Sequence, residues 1–425
     1  MERKSFYAGV GRKVCNVMSQ KREDIWSELK AVVLEELNFI EEVTDEQVLE
    51  VIDRVLKTSG LCRNVSLNRR CELRQELFHS IRKLDMLEEL LKDDTVTEIM
   101  INGEKGIFLE RDGQLESFSG AAVSKEKLEE LVVKITGESN RIINEASPLA
   151  DARLEDGSRV HVAVSPVALD GIVITIRKFP KKAITLEELL EKGSLNEEIA
   201  EFLKKAVKAK YNIFVSGGTG TGKTTLLNVL SDFVPKNERI ITIEDTAELR
   251  ILNVPNLVRL EARASSVEGC REITIRDLLR ASLRMRPDRI IVGEVRGEEA
   301  LDMIQAMCSG HNGSLSCGHG NSIADMLYRL ETMVLMGREL PAQVVRRQLA
   351  SGIDLMVHLG RLRDKRRVIL EISEIEGCEN GEIIINPLYR FSQSGTPQWE
   401  KAGELHHKDK LVMAGLEDDE RLSDL

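Results

Sequence analysis

The chain has 425 residues, 42% of them hydrophobic and 31% charged, which is ample core for two to four domains of about 150 residues each. A net charge of -11 argues against a general nucleic-acid binder, and no apolar run approaches the roughly 18 residues that span a bilayer. Seven scattered cysteines with no Cys-x-x-Cys fit reduced cytosolic thiols rather than a disulfide framework or a zinc site.

The first 22 residues form a basic arm, either a solvated tail or a contact to an acidic membrane surface. Residues 23–92 read as a helical bundle: Thr44 and Gln47 make a capping box, and Leu73, Leu77, Ile81 and Leu84 form an apolar stripe. Residues 93–178 change period and predict a small α+β sheet domain. Short strands end in Asn102-Gly103 and Asp112-Gly113 turns, and Leu128, Leu131, Val132 and Ile135 mark one helix. Two further strands, Arg159 to Ser165 and Ile172 to Lys178, alternate. Val160, Val162, Ile174 and Ile176 point one way, leaving Arg159, His161, Thr175 and Arg177 on a face that either presents two arginines or is simply solvated.

Residues 179–195 read as a linker, and 196–395 as an α/β domain opened by a lysine-rich helix. Ile213 to Val215 suits a buried strand, and Gly217, Gly222, Lys223 and Thr224 then match the P-loop spacing, followed by the helical stripe Leu226, Leu227, Leu230. The nucleotide cradle predicted here is Gly217, Gly218, Thr219, Gly220, Thr221, Gly222, Lys223, Thr224 and Thr225. Its N–H groups and helix dipole would hold the phosphates of ATP, Lys223 would reach the β and γ phosphates, and Thr224 would hold Mg2+.

Arg239 to Ile243 is a second strand, running into Glu244 and Asp245. These acids either orient water or hold Mg2+ at one remove, or they cap a turn. Arg289 to Val292 is a third strand and ends at Glu294, whose extra methylene suits polarising water, so that it is the candidate general base, against an exposed strand end. Ser314 to Cys317 leads to His319, which either donates to a γ-phosphate or is structural. The basic run Arg361 to Arg367 either contacts a neighbouring subunit or is solvated, and residues 396–425 read as a tail with an acidic end.

Several runs coincide with one family. They are Asp94 to Gly103, Asp151 to Val160, Thr175 to Phe179, Gly217 to Thr225, Thr242 to Leu249, Arg284 to Gly297 and Gly310 to Asn321. On these, the chain resembles the secretion and pilus ATPases of the bacterial type II/type IV superfamily, and within it the CpaF branch that drives tight-adherence pili. The resemblance covers roughly residues 85 to 380. It implies a RecA-like motor domain, a homo-hexamer, and ATP held between the sheet domain and the motor domain. It also implies arginines reaching the phosphates from the sheet domain, here Arg159 and Arg177, with Arg153 a weaker candidate. Glu244 and Asp245 fall in the family's Asp box, Gly293-Glu294 in Walker B and His319 in the His box. The implied partners are inner-membrane platform proteins, with a cytoplasmic, membrane-peripheral location and no stable nucleic acid.

The chain departs from the family where the His box reads Cys317-Gly318-His319-Gly320-Asn321, whose flanking glycines predict a looser loop, and where Lys83 to Met86 replaces a Gly-x-Gly-Pro hinge. A tetracysteine site common in other branches is not in the sequence, which favours the CpaF branch. Two further readings stand beside this one: a RecA-like nucleic-acid motor, and a non-hydrolysing module that binds ATP for assembly.

Overall fold

A computed structural model of the chain describes residues 26, 28–37, 45–63, 65–82, 87–111, 113–118, 123–138, 143–179, 184–263, 271–392 and 398–416. The basic arm at 1–22, Thr44 of the capping box, Asp112, the Lys83 to Met86 segment and the acidic end at 417–425 lie outside them. The chain divides into two units, Met1–Phe179 and Pro180–Leu425.

In the first unit, helices over residues 28–37, Asp45–Thr58 and Leu67–Arg82 share a core of Leu29, Val33, Val51, Ile52, Leu73 and Leu77. Six strands follow: β1 Val96–Asn102, β2 Ile107–Arg111, β3 Gln114–Phe118, β4 Leu149–Arg153, β5 Arg159–Ala163 and β6 Val173–Arg177. They form one antiparallel sheet in the order β3-β2-β1-β6-β5-β4. Gly113 takes a φ of 73°, the left-handed conformation that a tight β2–β3 turn demands. Alternation decides the faces. Ile99, Ile101, Val160, Val162, Ile174 and Ile176 pack in one core with Leu128, Leu131, Val132 and Ile135 of the helix Lys125–Glu138.

The second unit is built on nine strands: β7 Ile213–Gly217, β8 Ile240–Glu244, β9 Leu257–Glu261, β10 Arg289–Val292, β11 Leu315–His319, β12 Leu355–Arg361, β13 Arg367–Glu379, β14 Glu382–Ser392 and β15 Gln398–Lys401. Their order is β15-β14-β13-β12-β7-β11-β10-β8-β9. From β12 to β9 the neighbours run parallel, so β7, β11, β10 and β8 end at one edge. Helices cover both faces, and β7, β8 and β10 are accordingly buried at every residue, as their unbroken apolar runs require. On one face lie the helices Glu197–Lys208 and Lys223–Asp232. The other carries Glu299–Cys308, Ile323–Gly337 and Ala342–Gly352.

Two expectations need correction. The segment read as a linker is packed from its middle onward, since Leu189 of the helix Leu186–Glu191 and Leu195 are buried in the same core as β7. The segment from 396 is no tail in its described part. There β15 pairs with β14, Trp399 Nε1 donates to Ile369 O at 2.8 Å, and Lys410 meets Asp354 at 2.5 Å. The antiparallel extension β13–β15 went unread because its strands are half-buried and charged along one face, which blurs the apolar run.

Candidate nucleotide site

The loop after β7 owes its course to glycine at two positions. A Cβ on Gly217 would stand 2.6 Å from Leu359 O and 2.7 Å from Thr221 Oγ1, so no side chain fits there. Gly222, with φ 94°, turns the chain directly into the helix Lys223–Asp232. Gly218 lends its carbonyl to the loop's own closure, accepting from Thr221 Oγ1 at 2.9 Å and from Lys223 Nζ at 2.8 Å. Thr219 and Gly220 are exposed at the crest, and Thr224 and Thr225 are half-buried on the first helical turn. Lys223 itself is 7% exposed.

Parallel pairing brings the other candidates to the same edge. His319 ends β11 directly opposite Gly217. Glu294 follows β10 in a turn pinned on both sides: Gly293 N donates to Ile243 O and Val295 N to Cys317 O, each at 2.9 Å. The result is a chain of polar contacts. Lys223 Nζ lies 3.3 Å from His319 Nδ1, His319 Nε2 lies 2.9 Å from Glu294 Oε1, and Arg296 Nη2 donates to Glu294 Oε2 at 2.8 Å. An ammonium only donates, so its hydrogen bond assigns Nδ1 as acceptor and leaves the ring proton on Nε2, facing the carboxylate.

Electrostatics keep these groups in fixed charge states. Burial, and then the charge of Lys223, hold His319 below the ordinary histidine value, so that it is neutral. Burial pushes Glu294 up, but the hydrogen bond from Arg296 and the charges of Arg296 and Lys223 outweigh it, and the carboxylate titrates below its usual range. Burial pushes the Cys317 thiol up to about 12, and its Sγ donates to Gly293 O at 2.8 Å.

Glu244 is placed differently from an open catalytic acid. It is 2% exposed, and its Oε2 accepts from Glu248 N and Leu249 N, both at 2.7 Å, so it shapes the turn after β8. Its Oε1 is buried without a hydrogen-bond partner among the described residues, and burial raises its pKa. Gly293 leaves room for it, since a Cβ there would stand 2.9 Å from Glu244 Cγ. Asp245 is exposed, with Arg296 Nη1 3.9 Å away.

The expected looseness around His319 is overturned by packing. A Cβ on Gly318 would come within 2.9 Å of Met326 Cε and 3.1 Å of Phe214 Cζ, and one on Gly320 within 2.9 Å of Met326 Cβ. Both glycines are there because the helix Ile323–Gly337 packs against them.

Arg159 and Arg177 belong to the first unit, where they are direct partners across β5 and β6 on the face opposite the core. Arg177 Nε lies 3.8 Å from Glu98 Oε1. Three residues of the second unit escaped the sequence reading. Arg296 is one, though an arginine two residues after a candidate base was a usable signal. His358, a polar residue inside the apolar run of β12, hydrogen-bonds Ser216 Oγ through Nδ1 at 2.9 Å beneath the loop. Arg289, which is fully buried, binds Glu238 through Nε and Nη2 at 2.5 and 3.2 Å and anchors the start of β10.

The family model of type II/IV secretion system proteins matches residues 81–382. The chain is 33% identical over 304 residues to the type IV secretion system protein VirB11 of Brucella suis, spanning 65% of this chain and 84% of that protein. It is 41% identical over 244 residues to protein MJ0781 of Methanocaldococcus jannaschii, a match that spans 56% of this chain and only 34% of that relative's length. The X-ray structure of the Yersinia pseudotuberculosis ATPase DotB covers 68% of this chain and 78% of its own at TM-score 0.50 and 18% identity, a likeness of fold. The chain therefore belongs to the type II/IV secretion system protein family.

Proposed function

We propose that the chain is a hexameric, Mg-dependent ATPase of the tight-adherence branch, which drives a pilus or secretion platform from the cytoplasmic face of the inner membrane. The observation that carries this reading is the ionised Glu294 carboxylate, hydrogen-bonded by Arg296 and with His319 Nε2 2.9 Å away, on the same sheet edge as Lys223. A carboxylate so held is ready to orient a water, while Lys223 and the loop N–H groups stabilise the charge of the phosphoryl group being transferred. Thr224 would hold Mg2+, with Asp245 and the free Glu244 Oε1 positioned to act through its waters, and the ion would neutralise phosphate charge. Arg159 and Arg177 would reach the phosphates from the first unit as it closes, so that phosphate loss lets the two units rotate and does mechanical work.

A steady-state phosphate-release assay on the full chain tests this reading. Lys223→Ala and Glu294→Gln are each expected to lower turnover by about two orders of magnitude or more. Near wild-type rates in either variant sink the assignment. Arg177→Ala is expected to abolish hydrolysis with the fold intact; if hydrolysis persists, that sheet face is merely solvated.

A further inference from the structure

The turn between β12 and β13 has no part in the chemistry above, yet it stands at the same edge. β12 runs parallel to β7 with Leu359 opposite Gly217, so Gly360 and Arg361 extend past the end of β7 where the loop turns. Residues 361–367 read Arg-Leu-Arg-Asp-Lys-Arg-Arg, five cations and one acid in a chain of net charge -11. The acid is taken, because Asp364 accepts from Arg366 Nε at 2.7 Å.

Arg361 and Arg367 are direct partners across the antiparallel pair, and both are exposed. Like charges set opposite one another on a sheet work against the pairing. Among the described residues no carboxylate forms an ion pair with either. Their orientation follows from alternation. Leu359 and Ile369, two residues inward on each strand, sit in the core with Leu226 and Leu227 of the helix that the loop opens. Arg361 and Arg367 therefore face that same side. A Cβ on Gly222, the last residue before Lys223, would stand 3.8 Å from Arg367 Cδ.

We propose that Arg361 and Arg367 are nucleotide-binding residues that clamp the α/β-phosphate portion of ATP or ADP from outside the loop. The proposal rests on the ATP-binding reading and adds a subsite to it. Neither guanidinium has a carboxylate partner among the described residues, Arg367 lies beside the loop's last glycine with Arg361 directly across the strand pair, and a guanidinium can take a phosphate bidentately. A loop backbone of this kind cradles the α and β phosphates, so the clamp serves ATP and ADP alike, while Lys223 reaches the β and γ phosphates.

Calorimetric titration of the full chain with Mg-ATP and Mg-ADP tests this proposal. The Arg361→Ala/Arg367→Ala double variant is expected to bind both nucleotides about tenfold more weakly, by a similar factor, and with a shallower salt dependence. Its melting temperature without nucleotide is expected to equal or exceed that of the wild type, because a like-charge pair has been removed, so lost affinity is not lost fold. An Arg363→Ala/Lys365→Ala variant on the same turn is expected to bind as wild type. Affinity for ADP within twofold of wild type in the first variant overturns the proposal, as does an equal loss in the second variant, which makes the turn a diffuse field. A wild-type chain that binds neither nucleotide overturns the proposed function along with it.

Discussion

His319 Nε2 stands 2.9 Å from Glu294 Oε1 while its other ring nitrogen lies 3.3 Å from Lys223 Nζ, so one imidazole stands between the loop lysine and the candidate base. A neutral ring can do both, but an imidazolium cannot, because it would face an ammonium through Nδ1. The acid limb of turnover against pH should report this ring. Burial and Lys223 lower its pKa, so the ring stays neutral below the ordinary histidine value, and the limb should fall below about pH 6.5. His319→Gln should abolish that limb while keeping part of the activity. A limb at or above the ordinary value would refute the neutral link.

Packing rather than flexibility explains the glycines beside His319, and Gly320→Ala checks this. Its new methyl group meets Met326 Cβ, which sits on a helix backbone and cannot swing aside. The variant should lose about 1–3 kcal/mol in denaturant unfolding, together with activity. Gly318→Ala, which meets the terminal methyl of Met326 and the rim of Phe214, should cost less. Equal, negligible costs would mean that the loop is slack after all.

Arg289 tests the anchor at the other end of β10. The guanidinium is fully buried and also donates to Val207 O at 2.7 Å through Nη1. Arg289→Ala leaves Glu238 with Lys210, 3.6 Å from its Oε1, as its cation partner among the described residues, and should cost about 3 kcal/mol. Arg289→Met with Glu238→Gln should cost markedly less. If the single and double variants unfold alike, the pair is not coupled.

Removing residues 398–425 should also destabilise the second unit. The cut strips β15 from β14, frees Ile369 O from Trp399 and breaks the contact between Lys410 and Asp354. A loss of about 3 kcal/mol or more is expected, together with aggregation through the bared strand edge. Unchanged melting and solubility would return this segment to the status of a tail.

What the sequence determined by itself was local. Ile213 to Asp232 reads as strand, loop and helix because its signals are local ones, an apolar run, closely spaced glycines and a helical apolar stripe. The same holds for the alternating faces of β5 and β6. Tertiary structure decided which distant groups meet. Lys223 and His319 are 96 residues apart and touch because β7 and β11 pair in parallel with Gly217 opposite His319. It also turned Glu244 inward onto backbone N–H groups, brought Arg296 onto Glu294, and set Arg367 beside Gly222. Strand order and register are set by how whole faces bury, which no local period encodes, and so the residues were legible before their partners were.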